Sequence, residues 1–219
     1  MKKFKISIIC LVILQFVITA VSFAFLGDII PMHFGINGQP DQFGSKYFML
    51  IFPIVSLIIG GSMLLVVRFC KVSDNYKKYT LLTGVILEAM FTVLAILFIV
   101  IALTYTEETM MFDISKIMLP LCGVLFIILG NFMPKIEKNR TLGIKSKWSQ
   151  YNDVTWQKTH RFAGFGGVLV GTLCLILGLF FKEMVNFIIL MVLLIGFCVS
   201  STIASYVFYK QEKAKEVTE

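Results

Sequence analysis

The sequence predicts an all-α integral membrane protein: a bundle of six transmembrane helices whose N and C termini both lie in the cytoplasm. Three observations support this prediction. Hydrophobic residues make up 58% of the 219 residues and charged residues only 15%, whereas a soluble domain of this size has about 25% charged residues. Six apolar runs reach or approach the roughly 20 residues that cross a bilayer as a helix. Lysine and arginine are concentrated on one side of these runs.

The apolar runs cover residues 6–26, 48–67, 80–105, 117–133, 162–181 and 187–209. The first run follows three lysines and could be read as a signal peptide with residues 22–24 as its cleavage site. It is longer than the roughly 7–15 residues of a signal-peptide core, so we interpret it as a retained helix. We expect a single membrane domain over 1–219, with an N-terminal two-helix module at 1–67 and a C-terminal part at 117–209.

The distribution of positive charge sets the expected orientation. With a cytoplasmic N-terminus, the inner segments hold 17 of the 20 lysines and arginines: 3 before the first run, 4 in 68–79, 7 in 134–161 and 3 in the tail. The outer segments keep three lysines against six acidic residues. An excess of cations on cytoplasmic segments is the usual topology signal of membrane proteins. The net charge of +7 therefore reflects topology, and no direct contact with nucleic acid is expected.

Composition and motifs also argue against several kinds of site. The five cysteines lie in or beside apolar runs and include no C-x-x-C pair, so we predict neither a disulfide framework nor a metal centre. The chain has no recognisable nucleophile–base pair, no H-E-x-x-H motif and no phosphate-binding loop. We therefore expect a protein that is not an enzyme and that uses no cofactor.

Residues 27–47 form a long non-helical segment between the first two runs. Loops of this length are uncommon in compact proteins unless they bind something, and the apolar side chains in this one argue against disorder. Two interpretations stay open: a cap on the outer surface of the bundle, or a recognition surface for an extracellular ligand. His33 is not a metal site, because Asp41 is the only possible second ligand nearby. The turn-forming residues of the segment are Pro31, Asn37, Gly38, Pro40 and Gly44.

Glu88 lies inside the third apolar run, about two turns from its cytoplasmic end. A lone carboxylate in hydrocarbon costs roughly a few kcal/mol, so this side chain should face the bundle interior and hold its proton. The apolar runs offer no lysine or arginine as its partner. Both a hydrogen bond to a neighbouring helix and a role in proton or cation coupling are compatible with this pattern.

The longest polar segment of the chain covers residues 134–161. It begins at Pro134, which ends the fourth helix because proline cannot continue the helical hydrogen-bond ladder. Asn152 or Asp153 is a suitable N-cap, and no proline occurs in 154–181. We therefore predict one continuous helix over 154–181, which includes the fifth apolar run.

On a helical wheel at about 100° per residue, the predicted helix places its rarest residues on one stripe. Glycine stripes let membrane helices approach closely, so the tryptophan and the histidine on this stripe should point into the bundle. The natural partner of this helix is the sixth run, which has a weaker small-residue row formed by Gly196, Ser200 and Ala204. The mixed-charge tail at 210–219 is expected to be frayed. The stripe consists of Trp156, His160, Gly164, Gly167, Gly171 and Gly178.

Two stretches of the chain contain motifs of a known family. The first contains Gly130, Asn131, Met133, Pro134, Lys135, Asn139, Gly143, Ile144, Trp148, Trp156 and 158–161. It resembles the signature of the SdpI family of bacterial membrane proteins. The second contains Pro31, His33, Phe34, Gly38, Pro40, Asp41, Gly44, Ser45 and Lys46. It is similar to an outer-loop module that often accompanies that family, P-x-H-F…G-x-P-D-x-x-G-S-K. Residues 145–147 read Lys-Ser-Lys where the family usually has Arg-Thr-Pro, so the turn before Trp148 should be less rigid.

The resemblance implies a protein that protects its producer from a secreted killing peptide. It also implies a cytoplasmic transcriptional repressor as a second partner, held at the membrane once the toxin is bound. On this hypothesis the outer-loop module faces the toxin, and residues 134–161 transmit the signal or dock the repressor. Two alternatives stay open: a small proton-coupled transporter centred on Glu88 and His160, and simple binding of anionic headgroups by 134–161. The residues expected to form the cytoplasmic motif are Asn131, Pro134, Asn139, Arg140, Gly143, Trp148, Trp156, His160 and Arg161.

Overall fold

The computed structural model describes residues 1–35, 38–105, 114–139, 141–181 and 183–218 of the chain. All six of its long helices are long and apolar enough to cross a membrane, which confirms the predicted six-span helical architecture. The helices are α1 (Lys2–Ser22), α2 (Ile51–Phe69), α3 (Asp74–Thr104), α4 (Ile114–Phe132), α5 (Asp153–Phe180) and α6 (Glu183–Thr218). The strands β1 (Ile29–Phe34) and β2 (Pro40–Ser45) lie between α1 and α2, and short 3₁₀ turns cover Lys46–Leu50 and Met133–Lys135.

The chain folds as two compact units, Met1–Ile114 and Ser115–Glu219. In the first unit, α1, α2 and α3 pack against one another. Because lipid tails are as apolar as these side chains, close packing and interhelical hydrogen bonds hold such helices together. One apolar cluster of this unit lies near the strands and consists of Leu26, Ile30, Met49, Phe52 and Ala95. A second cluster, towards the N-terminal end of α1, consists of Ile8, Val67 and Leu81.

The segment between α1 and α2 is a two-stranded antiparallel hairpin, which is the form that the predicted structured segment takes. Its register pairs Phe34 with Pro40 across the connecting turn. In that turn Gly38 has a φ of 73°, a left-handed conformation that glycine adopts without strain. The hairpin rests on α3, because the rings of Phe34 and Phe98 meet edge to face with centroids 5.7 Å apart. Asn37, one of the predicted turn formers, lies outside the described residues.

Helix α5 runs without a break from Asp153 to Phe180, which confirms the predicted continuous helix. The side chain of Asn152 caps its N-terminus by accepting a hydrogen bond from the backbone N–H of Thr155 at 2.8 Å. The helix buries the face that contains Trp156, His160 and the glycine stripe. Trp156 and His160 therefore lie in the interior of the second unit.

The glycine stripe of α5 packs against α4, and the predicted pairing of α5 with α6 is also present, through a different face. A Cβ added to Gly171 would collide with the carbonyl oxygen of Gly123, and one added to Gly164 would lie 2.8 Å from that of Gly130. The two helix backbones therefore touch where these glycines face each other. In α6, a Cβ added to Gly196 would meet nothing within 4 Å.

The rest of the stripe continues along α4, and α6 packs through a different face. A Cβ on Gly167 would lie 3.4 Å from the Cα of Gly130, and one on Gly178 would lie 2.8 Å from the ring of Pro120. Helix α6 still packs on α5, but it buries Ser201, one residue beyond the expected small-residue row. That offset is about 100° on the helix, enough to turn the expected row away from α5.

Helix α6 continues to Thr218, so the prediction of a frayed tail at 210–219 is wrong for its described part. Glu212 lies 2.7 Å from Lys158 and 3.2 Å from Lys215. The hydroxyl of Tyr151 donates a hydrogen bond to Glu216. The contacts that order the end of α6 thus include Lys158 and Tyr151, which are 54 and 65 positions away from their partners in the tail. Local composition does not reveal such contacts.

Candidate functional site

The indole of Trp156 is the centre of the junction, by which we mean residues 130–160, from the end of α4 to the first turns of α5. Its side chain is 1% exposed. The indole N–H donates a 2.8 Å hydrogen bond to the carbonyl oxygen of Ile136. The imidazole of His160 stacks on it, with ring centroids 3.9 Å apart and planes 22° from parallel. A buried indole with a paired N–H is a packing anchor.

Both ring nitrogens of His160 bond to the backbone. The N–H of Ile144 donates to Nε2 at 3.2 Å, and Nδ1 lies 2.9 Å from the carbonyl oxygen of Trp156. Because Nε2 accepts a hydrogen bond and so carries no proton, and because a carbonyl oxygen can only accept a hydrogen bond, the contacts assign a neutral ring with its proton on Nδ1. His160 therefore holds the chain together in this conformation, and neither nitrogen is free to bind a ligand.

Gly143 is required at its position for two reasons. Its φ is +93°, a backbone conformation that L side chains rarely adopt. A Cβ at this position would overlap Nε2 of His160. The glycine therefore lets the backbone pass over the imidazole, so that the next residue, Ile144, can donate its N–H to the ring.

Asn139 shapes the first turn of the junction. Its Oδ1 accepts the N–H groups of Thr141 and Leu142 at 2.8 and 2.6 Å, and its Nδ2 donates to the carbonyl oxygen of Glu137 at 2.8 Å. The side chain of Gln150 donates to the backbone carbonyl of Asn139 at 3.1 Å. An asparagine side chain that replaces turn hydrogen bonds in this way fixes the local path of the backbone.

Two serines on either side of Trp148 hold the turn that lacks the proline usual in the family the chain resembles. The N–H of Ser146 donates to Oγ of Ser149, and the N–H of Ser149 donates to Oγ of Ser146, both at 2.9 Å. Ser149 is fully buried and its hydroxyl also reaches the carbonyl oxygen of Ile144 at 2.8 Å. These reciprocal bonds order the turn without the proline ring.

Pro134 packs where the junction leaves α4. A Cβ on Gly164 would lie 2.8 Å from Cγ of Pro134, so the proline ring fits against α5 only because residue 164 is glycine. The neighbouring Asn131 is exposed and its Nδ2 donates to its own helix, to the carbonyl oxygen of Ile127 at 2.8 Å. Pro134 therefore packs the junction against Gly164 of α5, whereas Asn131 faces outwards.

Of the remaining motif residues, Trp148 and Arg161 lie towards the surface of the second unit. Trp148 is half-buried and its ring meets that of Tyr206 edge to face at 5.1 Å. Arg161 is exposed on α5. Arg140 lies outside the described residues. The Tyr151 hydroxyl is also exposed, and its hydrogen bond to the carboxylate of Glu216 raises the pKa of Tyr151.

An open cavity of about 330 Å³ lies beside Trp156. One wall is the segment after Pro134, and the other is the first turn of α5. The walls carry both signs of charge, so the cavity does not select an ion of one sign by charge alone. Its charged lining residues are Lys135, Glu137, Lys138 and Asp153.

Glu88 is fully buried in the first unit, as predicted, and has a hydrogen-bond partner on a neighbouring helix. The hydroxyl of Ser56 on α2 donates to Oε2 of Glu88 at 2.5 Å. One turn along α3, Thr92 accepts a 3.3 Å hydrogen bond from Nε2 of Gln15 on α1. A Cβ on Gly60 would lie 3.1 Å from Oε1 of Glu88, so the carboxyl lies directly against α2. Polar side chains thus join all three helices of this unit.

The outer-loop motif divides into residues that build the hairpin and residues that face outwards. Pro31 and Gly38 are buried, Phe34 and Pro40 are half-buried, and a Cβ on Gly44 would press on the flexible side chain of Met32. Oγ of Ser45 accepts the N–H of Tyr47 at 3.4 Å, and Nζ of Lys46 lies 3.1 Å from Asp28. The two exposed polar side chains that pair across the strands, with Nδ1 and Oδ1 2.5 Å apart, are those of His33 and Asp41.

Several residues of these sites were not predicted. Gln15 could have been recognised as a candidate interhelical contact, because it is the one amide in the first apolar run. No signal in the sequence distinguished Ser56, Thr92 and Ser149, since serine and threonine are common in membrane helices and turns. Among the described residues no group of three or more metal-ligating side chains was found.

Comparison with known proteins gives matches over two ranges of the chain, one that contains the hairpin and one that contains most of the junction. A family model described as the SdpI/YfhL protein family matches residues 135–205, and one described as Domain of unknown function (DUF1648) matches residues 10–57. The chain is 26% identical over 211 residues to Immunity protein SdpI of Bacillus subtilis (strain 168), covering 96% of this chain and 98% of that protein. No solved structure matches the chain. With the six apolar helices, these similarities identify a multi-pass protein of the cell membrane.

Proposed function

We propose that this chain, which belongs to the SdpI family, is a membrane immunity protein that protects the cell against a secreted antimicrobial peptide. One observation supports the proposal above the others: the similarity to Immunity protein SdpI extends over 96% of this chain and 98% of that relative. Apolar helices alone can make unrelated membrane proteins look alike. A match of this length also includes the polar segments between them.

In this proposal the hairpin is the part that meets the peptide. Ile29 and Phe43, on adjacent strands, are 73% and 45% exposed. The polar side chains of the hairpin have partners nearby: His33 pairs with Asp41, and Lys46 with Asp28. The surface thus offers apolar contact area with little net charge. Exposed apolar area of this kind is typical of interaction sites, and it suits an apolar peptide that approaches along the membrane.

The finer proposal is that the junction passes the signal to a transcriptional repressor in the cytoplasm. Excess lysine and arginine in 134–161 favours a cytoplasmic location for the junction. Lys135 and Lys138 are exposed beside the open cavity, where a soluble partner could reach them. A toxin-dependent response requires that the toxin bind one state of the bundle better than another. The bonds of His160 would then pass a movement of α5 to the junction.

A proton-coupled transporter centred on Glu88 and His160 is the alternative that the sequence left open, and we do not propose it. Both nitrogens of His160 are engaged by backbone groups, so proton uptake would break the bond from Ile144. Glu88 belongs to the first unit and His160 to the second, and each is bonded within its own unit. No observation favours transport over immunity.

Deletion of the gene tests the proposal. The deletion strain is challenged with concentrated culture supernatant of its parent, which contains the peptides that the parent secretes. We expect killing of the deletion strain at doses that the parent survives, and recovery when the wild-type allele is restored. A Gly196→Ala allele is the matched control and should also restore survival, because nothing lies within 4 Å of a Cβ at that position. Unchanged survival of the deletion strain would contradict the proposal.

A further inference from the structure

We propose that the second unit has a binding surface for anionic phospholipid headgroups where the junction meets the end of α6. The inference does not depend on the immunity function. We call this surface the lysine–aromatic surface. It consists of Lys147, Trp148, Tyr206, Tyr209, Lys210 and Lys213.

Each lysine of the surface holds its ammonium group over an aromatic ring. The Nζ of Lys147 lies 5.4 Å from the ring centre of Trp148, and that of Lys210 lies 5.2 Å from the ring centre of Tyr206. The third pair, Lys213 over Tyr209, has a distance of 5.9 Å. An ammonium within about 6 Å of a ring face is attracted to it, so the three charges are kept close to the protein surface.

The three pairs form one continuous surface because the junction is bonded to α6. The rings of Trp148 and Tyr206 meet edge to face at 5.1 Å. The ring of Tyr151 meets that of Tyr209 at 4.8 Å, also edge to face. The hydroxyls of Ser146 in the junction and Ser205 in α6 also share a 2.6 Å hydrogen bond.

The position of the surface at the end of the sixth apolar run corresponds to the depth of lipid headgroups. Tyr206 and Tyr209 occupy the last turn of the apolar run 187–209, and Lys210 and Lys213 follow at once in the same helix. Aromatic rings concentrate at the membrane–water boundary, and lysines near helix ends extend their charged groups towards it. Tyr206 is 38% exposed, so its ring is available to a lipid.

The charge of the surface is not neutralised by the protein. The two acids on the same stretch of α6 have other partners: Glu212 pairs with Lys158 and Lys215, and Glu216 accepts from Tyr151. In the described part of the chain, none of the ion pairs includes a lysine of the surface. Three ammonium groups that lack carboxylate partners attract phosphate, and basic segments beside the last turn of a membrane helix bind anionic lipids.

An acidic protein segment could also pair with three lysines, but position and ring exposure favour lipid. A lipid supplies both a phosphate for the ammonium groups and an acyl chain for the rings below them. An acidic peptide supplies only the first of these. The two partners are distinguished by the experiment below.

Trp148 provides the probe for this test. The full chain is reconstituted in bilayers of phosphatidylcholine and phosphatidylglycerol in equal parts, with bromine on the acyl chains of either one lipid or the other. Bromine quenches tryptophan fluorescence at short range, so the quenching reports which lipid lies beside Trp148. The second tryptophan of the chain, Trp156, is 1% exposed and contributes a constant background.

We expect brominated phosphatidylglycerol to quench Trp148 more strongly than brominated phosphatidylcholine, with an apparent preference of about fivefold or more. That preference corresponds to the roughly 1 kcal/mol that one cation contributes near an anionic surface. In the triple variant Lys147→Gln, Lys210→Gln and Lys213→Gln the preference should fall towards one. The charge-matched control is Lys2→Gln, Lys3→Gln and Lys71→Gln, which changes exposed lysines of the first unit and should keep the preference.

Equal quenching by the two brominated lipids in the native protein would overturn the proposal. An equal loss of preference in both triple variants would also overturn it, because the effect would then be one of total charge. If lipid preference is absent and a polyglutamate peptide shields Trp148 from a water-soluble quencher, the surface is a protein-docking site and the lipid proposal is wrong.

Discussion

The stacked rings of Trp156 and His160, 3.9 Å apart, tie the start of α5 to two separate points of the segment before it. The indole N–H bonds to the carbonyl oxygen of Ile136, and the imidazole accepts the N–H of Ile144. The long polar segment of this apolar chain is therefore folded onto a membrane helix along much of its length. Its rare residues are the ones that hold it there.

Gly143→Ala should destabilise the protein. The alanine would have to adopt the φ of +93° and its Cβ would overlap Nε2 of His160. Left-handed strain and overpacking each cost about 1–3 kcal/mol, so the apparent Tm in detergent should fall by several degrees. Gly27→Ala is the control, since its Cβ would meet only one atom at 3.8 Å. Equal Tm values for the two variants would show that residue 143 does not need to be glycine.

Gly171→Ala should loosen the contact between α4 and α5. Its Cβ would collide with the carbonyl oxygen of Gly123, a backbone atom that cannot move aside as a flexible side chain can. We expect a loss of about 1–3 kcal/mol, measured by unfolding in mixed micelles. Gly196→Ala is matched in chemistry but meets nothing within 4 Å, and should be neutral or slightly stabilising. If both variants lose the same stability, the glycine stripe is not a packing surface.

Glu88→Gln should leave stability and protection close to those of the wild type. The glutamine keeps an acceptor for the hydroxyl of Ser56 and has no charge to bury. Glu88→Ala removes the acceptor and leaves a cavity, and it should cost about 2–4 kcal/mol. The measurement is unfolding of the purified protein together with survival of cells that carry each allele. Loss of protection in Glu88→Gln at normal protein levels would show that the ionisable group itself is needed.

Glu212→Lys should release the end of α6 from the junction. Lys158 would lose its 2.7 Å partner and face a second cation instead. We expect faster hydrogen exchange of the amides that follow residue 206, with the rest of α6 unchanged. The charge swap Lys158→Glu with Glu212→Lys should slow exchange again, although Lys215 would then pair differently. Native-like exchange in the single variant would mean that this ion pair does not order the tail.

The sequence was sufficient for features that depend on local pattern. Apolar runs of bilayer length predicted the six spans, and Asn152 with a proline-free stretch after it predicted α5. The helical wheel then placed Trp156 and His160 on the buried face, because helix periodicity alone determines which residues share a face. Predicting these features required no knowledge of which residues contact each other in the folded chain.

Features that depend on distant partners were not predictable in the same way. The strands of the hairpin were missed because Pro31 and Pro40 are unusual inside strands and read as turn residues. The sequence predicted that α6 packs on α5, but it did not reveal that the glycine stripe contacts α4 or that the row at Gly196 points elsewhere. The end of α6 is ordered by contacts such as that of Glu212 with Lys158. These two residues are far apart in the sequence, so the contact could not be predicted from local composition.

The most direct measurement of the central claim is the dose of secreted peptide that kills three otherwise identical strains. One strain has the wild-type chain, one lacks it, and one has the hairpin variant Ile29→Ser with Phe43→Ser at normal membrane levels. We predict that the wild-type strain survives the highest dose and that the hairpin variant is killed at a dose close to that of the strain lacking the chain. Identical dose curves for all three strains would contradict the account.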